Sequence, residues 1–434
     1  VTGEAEGASS VLETPRSPKG THDVLPPASA RWERLVATFA QLAERHGYGL
    51  ALTPMIEDVR VFRRGIGEAS EVVGKEMYEF EDRGGRMLAL RPEGTAPIVR
   101  AFVQHHPATP WRVWYVTPAF RYERAQAGRY RQHHQVGVEV LGTDDPDVDV
   151  EVVCVAHDLY RELGLRNVAL SINSLGDAQC RPAYLDALRA YLGAHEGELC
   201  DEHAASWSRN PLRVLDCKKP GCRAVAEGAP LLSDWLCEPC RVHFARVLAG
   251  LDAIGVAWTH DDRLVRGLDY YTRTTFEFGA LSLDAASNAV GGGGRYDLLA
   301  EALGGPRTPG IGFGCGIERM LLACDAEGVF EVAAPLAEVF VVDTAGGEHA
   351  RDLVVALRRA GIRAERSYDG RSMKAQLRAA DKAGARLAVI VGPEEVANGS
   401  VVVKDLAMGT QRTEAVADLL ARAARDGTVQ EGTT

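Results

Sequence analysis

The chain has 434 residues, 46% of them hydrophobic and 25% charged, with a net charge of -11; at roughly 150 residues per domain this makes two or three globular domains, each able to bury a core. The acidic balance excludes a protein that coats nucleic acid indiscriminately, because such binding is driven by neutralising phosphates, yet it leaves room for a local basic surface. No apolar run approaches the roughly 20 residues that a membrane span needs, and nine cysteines with no signal-like start read as reduced thiols or metal ligands of a cytoplasmic protein.

Residues 1–15 are small, polar and acidic and read as a flexible tail. The spacing of Trp32, Leu35, Val36, Phe39, Leu42 and Ala43 predicts a helix over 30–47, stopped at Gly47. Strand patterns follow at 51–56, 111–120 and 135–141, interspersed with helical ones, so that 16–326 reads as a large α+β domain. Within it, 180–258 is helix-forming and cysteine-bearing and reads as an insertion, after which strand-like sequence resumes over 264–278. Residues 327–336 read as a linker. The remainder to 426 alternates strand (339–342), helix (349–360), strand (363–365), helix (372–383) and strand (387–391), which predicts a small α/β domain over 337–426 with a mixed or parallel sheet, followed by a tail at 427–434.

Between Phe120 and Gln135, the residues Arg121, Arg124, Arg129 and Arg131 concentrate like charge between two strand patterns. Guanidinium groups stay charged and grip phosphate oxygens in pairs, so arginines on a hairpin turning at Gly128 make an anion clamp. The alternative is a solvated basic loop. Arg266 stands just ahead of the alternating sequence that ends at Phe278, with Asp269, Tyr270 and Tyr271 close behind it; on their own these tyrosines read as ordinary strand aromatics. Two glycine runs, Gly291 to Gly294 and Gly310 to Gly316, permit close approach of backbone to a ligand. Neither is a G-x-G-x-x-G loop with an acidic residue about 20 positions on, and no P-loop is present.

Taken in order, Lys19-Gly-Thr-His-Asp23, Leu90-Arg-Pro-Glu-Gly-Thr-Ala96, the run from Phe120 to Glu139, Arg266-Gly-Leu-Asp-Tyr-Tyr271, Gly293-Gly-Arg-Tyr-Asp297 and Gly310 to Arg319 resemble the class II aminoacyl-tRNA synthetases, and among them the histidyl family, over nearly the whole chain. Pro54 is similar to the proline of the first class motif, at a dimer interface. The resemblance implies a class II antiparallel sheet flanked by helices, a helical insertion and a C-terminal α/β anticodon-binding domain. It implies a homodimeric ATP-dependent ligase that converts L-histidine to histidyl-adenylate, releases pyrophosphate, and passes histidine to the 3′ end of its tRNA. Both steps depend on positioning and on stabilising charge on oxygen.

The same resemblance assigns roles. Arg121 contacts the α-phosphate and the carboxylate, Arg319 the far phosphates, and Arg266 the α-phosphate from the opposite side, while Mg2+ travels with ATP, held by phosphate and water. Glu123 and Arg129 add ATP contacts, and Tyr122 stacks or packs. Glu93, Thr95 and Gln135 hold the α-amino group, with Gly94 in the same histidine-binding set; Glu139 and Tyr271 meet the imidazole nitrogens, and Tyr270 and Tyr296 line the site. Such polar pockets discriminate by about 10⁴ or more, because an analogue leaves buried groups unpaired. Arg124 and Gln126 lie toward the acceptor end of the tRNA. Arg371, Lys374, Arg378 and Lys382 recur at helical spacing and suit the anticodon stem, the alternative being a solvated basic face.

Cys217-x4-Cys222 and Cys237-x2-Cys240 have the spacing of one four-thiolate structural zinc site, with Cys200 near enough to replace a ligand; four separate thiols are the alternative. Two other functions use similar sequences: an inactive paralogue that regulates histidine biosynthesis, and a non-enzymatic tRNA-binding sensor. The first characteristically loses the C-terminal domain and the signature arginines, and the second carries kinase sequence; here Arg121, Arg266, Arg319 and 337–426 stand and kinase sequence is absent.

Overall fold

In the computed structural model, which describes residues 14–67, 70, 72–124, 126, 128–284, 288–332 and 337–426, the amphipathic sequence near the start folds into α1 (Ala28–Arg45). It buries Leu35, Phe39, Leu42 and Ala43 along one side, the stripe that a 3.6-residue period produces, and Gly47 follows at φ +77°, a left-handed turn that costs glycine nothing. Most of the expected tail at 1–15, all of that at 427–434, and residues 333–336 of the expected linker lie outside the described residues. The chain divides into two compact units, 1–332 and 333–434.

The first unit continues through β1 (Gly49–Leu50), β2 (Ile56–Asp58), α2 (Val59–Ile66), β3 (Tyr78–Glu81), β4 (Met87–Leu90), α3 (Thr95–His105), β5 (Trp111–Phe120), β6 (Gln132–Leu141), α4 (Pro146–Glu162) and β7 (Val168–Ser174). The insertion supplies α5 (Arg181–Ala194), α6 (Asp201–Ala204), α7 (Leu212–Leu215), α8 (Pro220–Glu227) and α9 (Glu238–Ala253). Then come β8 (Thr259–His260), β9 (Thr272–Ala280), β10 (Ala289–Arg295), α10 (Leu299–Ala302), β11 (Gly310–Gly316) and α11 (Ile317–Glu327). The large sheet has the order β1-β5-β6-β11-β10-β9-β7-β8. Its six inner strands pair antiparallel, and β1 and β8 join the edges in parallel. A separate antiparallel sheet has the order β2-β4-β3.

One face of the large sheet is apolar. Val136, Val138 and Val140 of β6, Ile311 and Phe313 of β11, and Phe276 and Phe278 of β9 are all buried in a core shared with Leu35 and Phe39 of α1, Val152 and Leu159 of α4 and Met320 of α11. Each such side chain contributes about 1.5–3 kcal/mol when fully buried, so this face is committed to covering helices. The opposite face is left for chemistry.

Three expectations need correcting. Sequence 51–56 is not one strand: β1 ends at Leu50 and β2 begins at Ile56, with Pro54, which lacks an N–H for a ladder, between them. Residues 264–271 form a loop, with β9 starting only at Thr272. Helix α11 runs to Glu327, one residue into the expected linker, and ends at Gly328 with φ +64°.

The second unit comprises β12 (Val339–Asp343), α12 (Glu348–Arg359), β13 (Ala364–Arg366), α13 (Met373–Lys382), β14 (Leu387–Val391), α14 (Pro393–Asn398), β15 (Ser400–Asp405), β16 (Gln411–Ala415) and α15 (Val416–Asp426). Its sheet is mixed, in the order β13-β12-β14-β15-β16. The first three strands are parallel and the β15–β16 hairpin adds on antiparallel. That hairpin and the two helices around it extend the predicted alternation.

Candidate active site

Strand register builds the floor of the site. The two-residue period that buries Val136, Val138 and Val140 turns Gln135, Gly137 and Glu139 to the other face. Pairing sets Gly316, Gly314 and Gly312 of β11 opposite these three, then Gly292 and Gly294 of β10 opposite Gly314 and Gly312, then Glu277 and Thr275 of β9 opposite those. A face so rich in glycine has no side chains to fill the space above it. A groove of about 400 Å³ results, within the range of roughly 300–1,000 Å³ typical of ligand pockets.

The arginines expected on phosphate line this groove together: Arg121, Arg129, Arg266 and Arg319, with Glu123 and Gln135. Each guanidinium is anchored by a neighbour. Arg121 Nε donates to Pro92 O at 2.9 Å, Arg319 Nε to Gly128 O at 2.9 Å and its Nη1 to Ala289 O at 2.8 Å. Arg266 Nη1 donates to Glu277 Oε2 at 2.7 Å, and Arg129 Nη1 lies 3.6 Å from Glu123 Oε2. A Cβ at Gly292 would overlap the Arg266 guanidinium, so the bare strand is what admits that side chain. Burial, followed by the Arg129 charge, pulls the Arg319 guanidinium below its usual value. Burial and then the Arg121 and Arg319 charges push the His133 imidazole down to about 3. Concentrated like charge in an otherwise acidic chain marks a site for a polyanion.

Apart from Gln135, which lines the groove, the expected histidine-binding residues are buried, and they gather beside Glu139 at the same sheet face. Glu139 is wholly buried and accepts hydrogen bonds from Tyr296 Oη at 2.6 Å, Thr95 Oγ1 at 2.7 Å and Tyr115 Oη at 3.3 Å. Burial pushes its carboxyl up to about 8, against the opposing effect of the Tyr296 and Thr95 bonds. The rings of Tyr270 and Tyr271 stand 4.7 Å apart, and those of Tyr270 and Tyr296 5.9 Å apart. Glu93 has a structural task as well: its two oxygens accept the N–H groups of Thr95 and Ala96 at 2.6 and 2.8 Å, closing the first turn of α3 as a helix N-terminus requires. A Cβ on Gly94 would strike the Tyr115 ring.

Several residues of the site have no role in the sequence reading. Tyr115 lies in β5 opposite Gly137, where its aromatic character looks like core. Glu277 offered the clearest signal, a lone carboxylate between Phe276 and Phe278 in an alternating strand. His133 and, from the insertion, Arg213, Asp216 and Lys218 also line the groove; nothing in their local sequence sets them apart. Tyr122 is exposed, with the Arg131 guanidinium 3.8 Å from its ring centre.

Arg124 and Gln126 are exposed in the connection between β5 and β6. In the second unit, Lys374, Arg378 and Lys382 are exposed on α13 and Arg371 in the turn before it; Asp381 sits with Lys374 and Arg378 beside a shallow depression. The proposed zinc quartet does not assemble. Cys217 and Cys222 join Cys200 and His203, whereas Cys237 and Cys240 join Asp177 and Cys180. The reason is connectivity: Cys237 caps α9 and Cys240 lies in its first turn, and both meet the Asp177–Cys180 turn that opens α5.

A family model described as histidyl-tRNA synthetase matches residues 20–320, and one described as anticodon binding domain matches 336–425. A histidine–tRNA ligase of Anaeromyxobacter dehalogenans is 48% identical over 93% of this chain and 98% of its own length; that of Desulforamulus reducens is 45% identical over 93% and 97%. The crystal structure of an apo S. aureus histidyl-tRNA synthetase is similar, with a TM-score of 0.81 at 34% identity, covering 95% of this chain and 100% of that one. Matches of this identity and length, extending over both units, establish that the chain belongs to the histidyl-tRNA synthetase family.

Proposed function

We propose that the chain is an ATP-dependent histidine–tRNA ligase whose reaction takes place in the arginine-lined groove. The observation that carries this reading is the meeting of Arg121, Arg266 and Arg319 over a glycine floor. An oxygen of the histidine carboxylate attacks the ATP α-phosphorus and the bond to pyrophosphate breaks, giving histidyl-adenylate. A 3′-terminal ribose hydroxyl of the tRNA then attacks the acyl carbon, and AMP leaves. Neither step needs a covalent bond to the protein.

Arg121 and Arg266 hold the α-phosphate from two sides as charge builds on its oxygens, and Arg319 with Arg129 and Glu123 orients the rest of the nucleotide. Mg2+ enters with ATP, on phosphate oxygens and water. Glu139, Tyr271, Tyr270 and Tyr296 select the imidazole, while Gln135, Thr95, Glu93 and the Gly94 backbone receive the α-amino end. Histidine displaces one of the hydrogen bonds now made to Glu139, so an amino acid unable to replace that bond leaves a buried carboxyl unsatisfied.

The tRNA spans two surfaces in this reading, Arg124 and Gln126 near the acceptor end and Arg371, Lys374, Arg378 and Lys382 at the anticodon stem. The enzyme works as a homodimer, supported by exposed Leu50, Leu52, Met55, Ile56, Phe80 and Met87, which lie on or beside β1 and the β2-β4-β3 sheet around Pro54; apolar exposure of this kind marks association surfaces. Its place is the cytoplasm, with the tRNA it charges. A four-thiolate site of Cys217, Cys222, Cys237 and Cys240 is no part of the reading, because the two pairs separate. A regulatory paralogue is disfavoured by the retention of all three arginines and the second unit.

The test is histidine-dependent exchange of pyrophosphate into ATP. Folded protein that exchanges nothing with histidine overturns the reading; exchange driven by a different amino acid overturns the specificity alone.

A further inference from the structure

The insertion brings four soft donors to one point. Cys200 caps α6 and His203 lies within it, Cys217 follows α7, and Cys222 stands in the first turn of α8. Their sulfur and ring-nitrogen atoms all lie within 4.8 Å of one another, with His203 Nδ1 at 3.2 Å from Cys200 Sγ and 3.6 Å from Cys222 Sγ. A tetrahedral zinc ion, with bonds of about 2.3 Å to sulfur and about 2.0 Å to nitrogen, separates its ligands by roughly 3.5–3.8 Å. The four donors therefore fit one ion after small adjustments.

The surroundings suit a metal site. Cys222 is fully buried, and the Cys200 N–H donates to its sulfur at 3.2 Å, the type of bond that steadies and orients a metal-bound thiolate. Gly221 lies so close to Glu198 O that a Cβ there would come within 2.6 Å of it; a bare position is what lets α8 carry Cys222 up to Cys200. Lys218 and Lys219 follow Cys217 directly, placing positive charge in the segment beside three thiolates. The second quartet differs. Asp177 Oδ1 already accepts the N–H groups of Gln179 and Cys180, and its Oδ2 faces Arg273, so that carboxylate is committed to a turn and an ion pair.

We propose that Cys200, His203, Cys217 and Cys222 bind a structural zinc ion that fixes the wall of the active-site groove. His203 and Cys217 bracket residues 204–216, and the middle of that segment reaches the loop carrying Arg266: Asn210 Nδ2 donates to Asp269 Oδ1 at 3.3 Å and Arg213 Nη2 to Gly267 O at 2.9 Å. Arg213 and Asp216 themselves line the groove. One ion thus ties both ends of the segment that braces the Arg266 loop. Binding releases the three thiol protons to solvent and involves no redox step.

Full-length protein, purified without chelator and reconstituted with zinc chloride, is dialysed and its zinc per chain measured. Wild type is expected to hold one zinc per chain more than Cys217→Ser or Cys222→Ser, while His203→Cys, which keeps four donors, retains the ion. Cobalt(II) in place of zinc gives strong thiolate-to-metal absorption in wild type that Cys217→Ser lacks. Removing the metal from wild type speeds amide hydrogen exchange across 204–216. The proposal is overturned by wild type that takes up no zinc or cobalt on reconstitution, which needs no variant to fold, or by Cys217→Ser and Cys222→Ser holding as much zinc as wild type. Neither result depends on the enzyme's turning over histidine.

Discussion

Arg266 donates to Glu277 at 2.7 Å directly above Gly292, the residue paired with Glu277 across the β9–β10 ladder. A guanidinium lying on bare backbone is set in position by a carboxylate on the adjacent strand and aimed along the floor of the groove. Arg266→Ala is expected to lower histidine-dependent pyrophosphate exchange by about 10³-fold, the cost of losing a preorganised donor to a developing charge. The urea midpoint should move little, since the Glu277 side chain is 35% exposed and water can take over its hydrogen bonds. Gly292→Ala should also slow exchange, through displacement of the guanidinium. Exchange within twofold of wild type in Arg266→Ala refutes the assignment.

Glu139 makes stability depend on pH in an unusual direction. Burial raises its folded value to about 8 from 4.5, so between about pH 5 and 8 the folded chain holds a proton that the unfolded chain has released. Stability linked to this group is full below the unfolded value and declines as pH rises through the folded one. His133 acts oppositely: with its folded value held near 3 and an ordinary value of 6.5, it stabilises the fold above about pH 6.5 and loses that contribution as pH falls. Urea midpoints of wild type and Glu139→Gln at pH 6.5 and 8.5 isolate the first effect, because His133 contributes equally to both proteins. Wild type should lose more stability over this interval than Glu139→Gln. Parallel losses would place the proton elsewhere.

What could be read from sequence followed from how local the signal is. β5 and β14 were legible because β-branched and aromatic residues dominate the first and an apolar run makes up the second, and α1 because its apolar residues keep a helical period. β16 buries nothing completely, so no apolar alternation announces it, and Pro54 breaks what composition alone suggests is a strand. Arg121 and Arg129 were legible as chemistry because like charge concentrated on one hairpin needs an explanation, whereas Arg266 and Arg319 stood out only through the family motifs that contain them. Tyr115 and Asp216 were not, since only the sheet register brings Tyr115 to Glu139 and only the insertion brings Asp216 to the groove. The cysteines show the same limit: neighbouring pairs in the sequence were grouped together, but space groups Cys222 with Cys200 and Cys237 with Cys180.

Arg295 belongs to a glycine-rich signature, yet it is wholly buried and acts through the fold. Its Nε donates to both oxygens of Asp149 at 2.9 and 3.1 Å, its Nη1 to Asp297 at 3.0 Å, and Asp149 also meets His243 Nε2 at 2.8 Å. Both Arg295 and Asp149 are 0% exposed, so removing one leaves the other desolvated. Asp149→Ala is expected to destabilise the first unit by about 3–5 kcal/mol, as breaking a buried pair does, measured by urea unfolding. A loss below about 1 kcal/mol would mean that Asp297 and the neighbouring carbonyls satisfy Arg295 unaided.

The basic face of α13 can be tested apart from the chemistry of the first unit. Lys374 and Arg378 are four residues apart on an exposed helix side, and Asp381 beside them already dilutes their field. Reversing both, as Lys374→Glu with Arg378→Glu, replaces attraction to phosphate by repulsion. Pyrophosphate exchange, which involves no tRNA, should stay within twofold of wild type, while the KM for tRNA in aminoacylation should rise by about tenfold or more. Neutral substitution to Gln should lower the slope of log affinity against log salt by about one for each phosphate contact removed. Packing explains none of this pattern, because a damaged fold would change exchange and salt slope together. An unchanged slope with unchanged KM would make these residues an ordinary solvated face and move the tRNA contact to another part of the second unit.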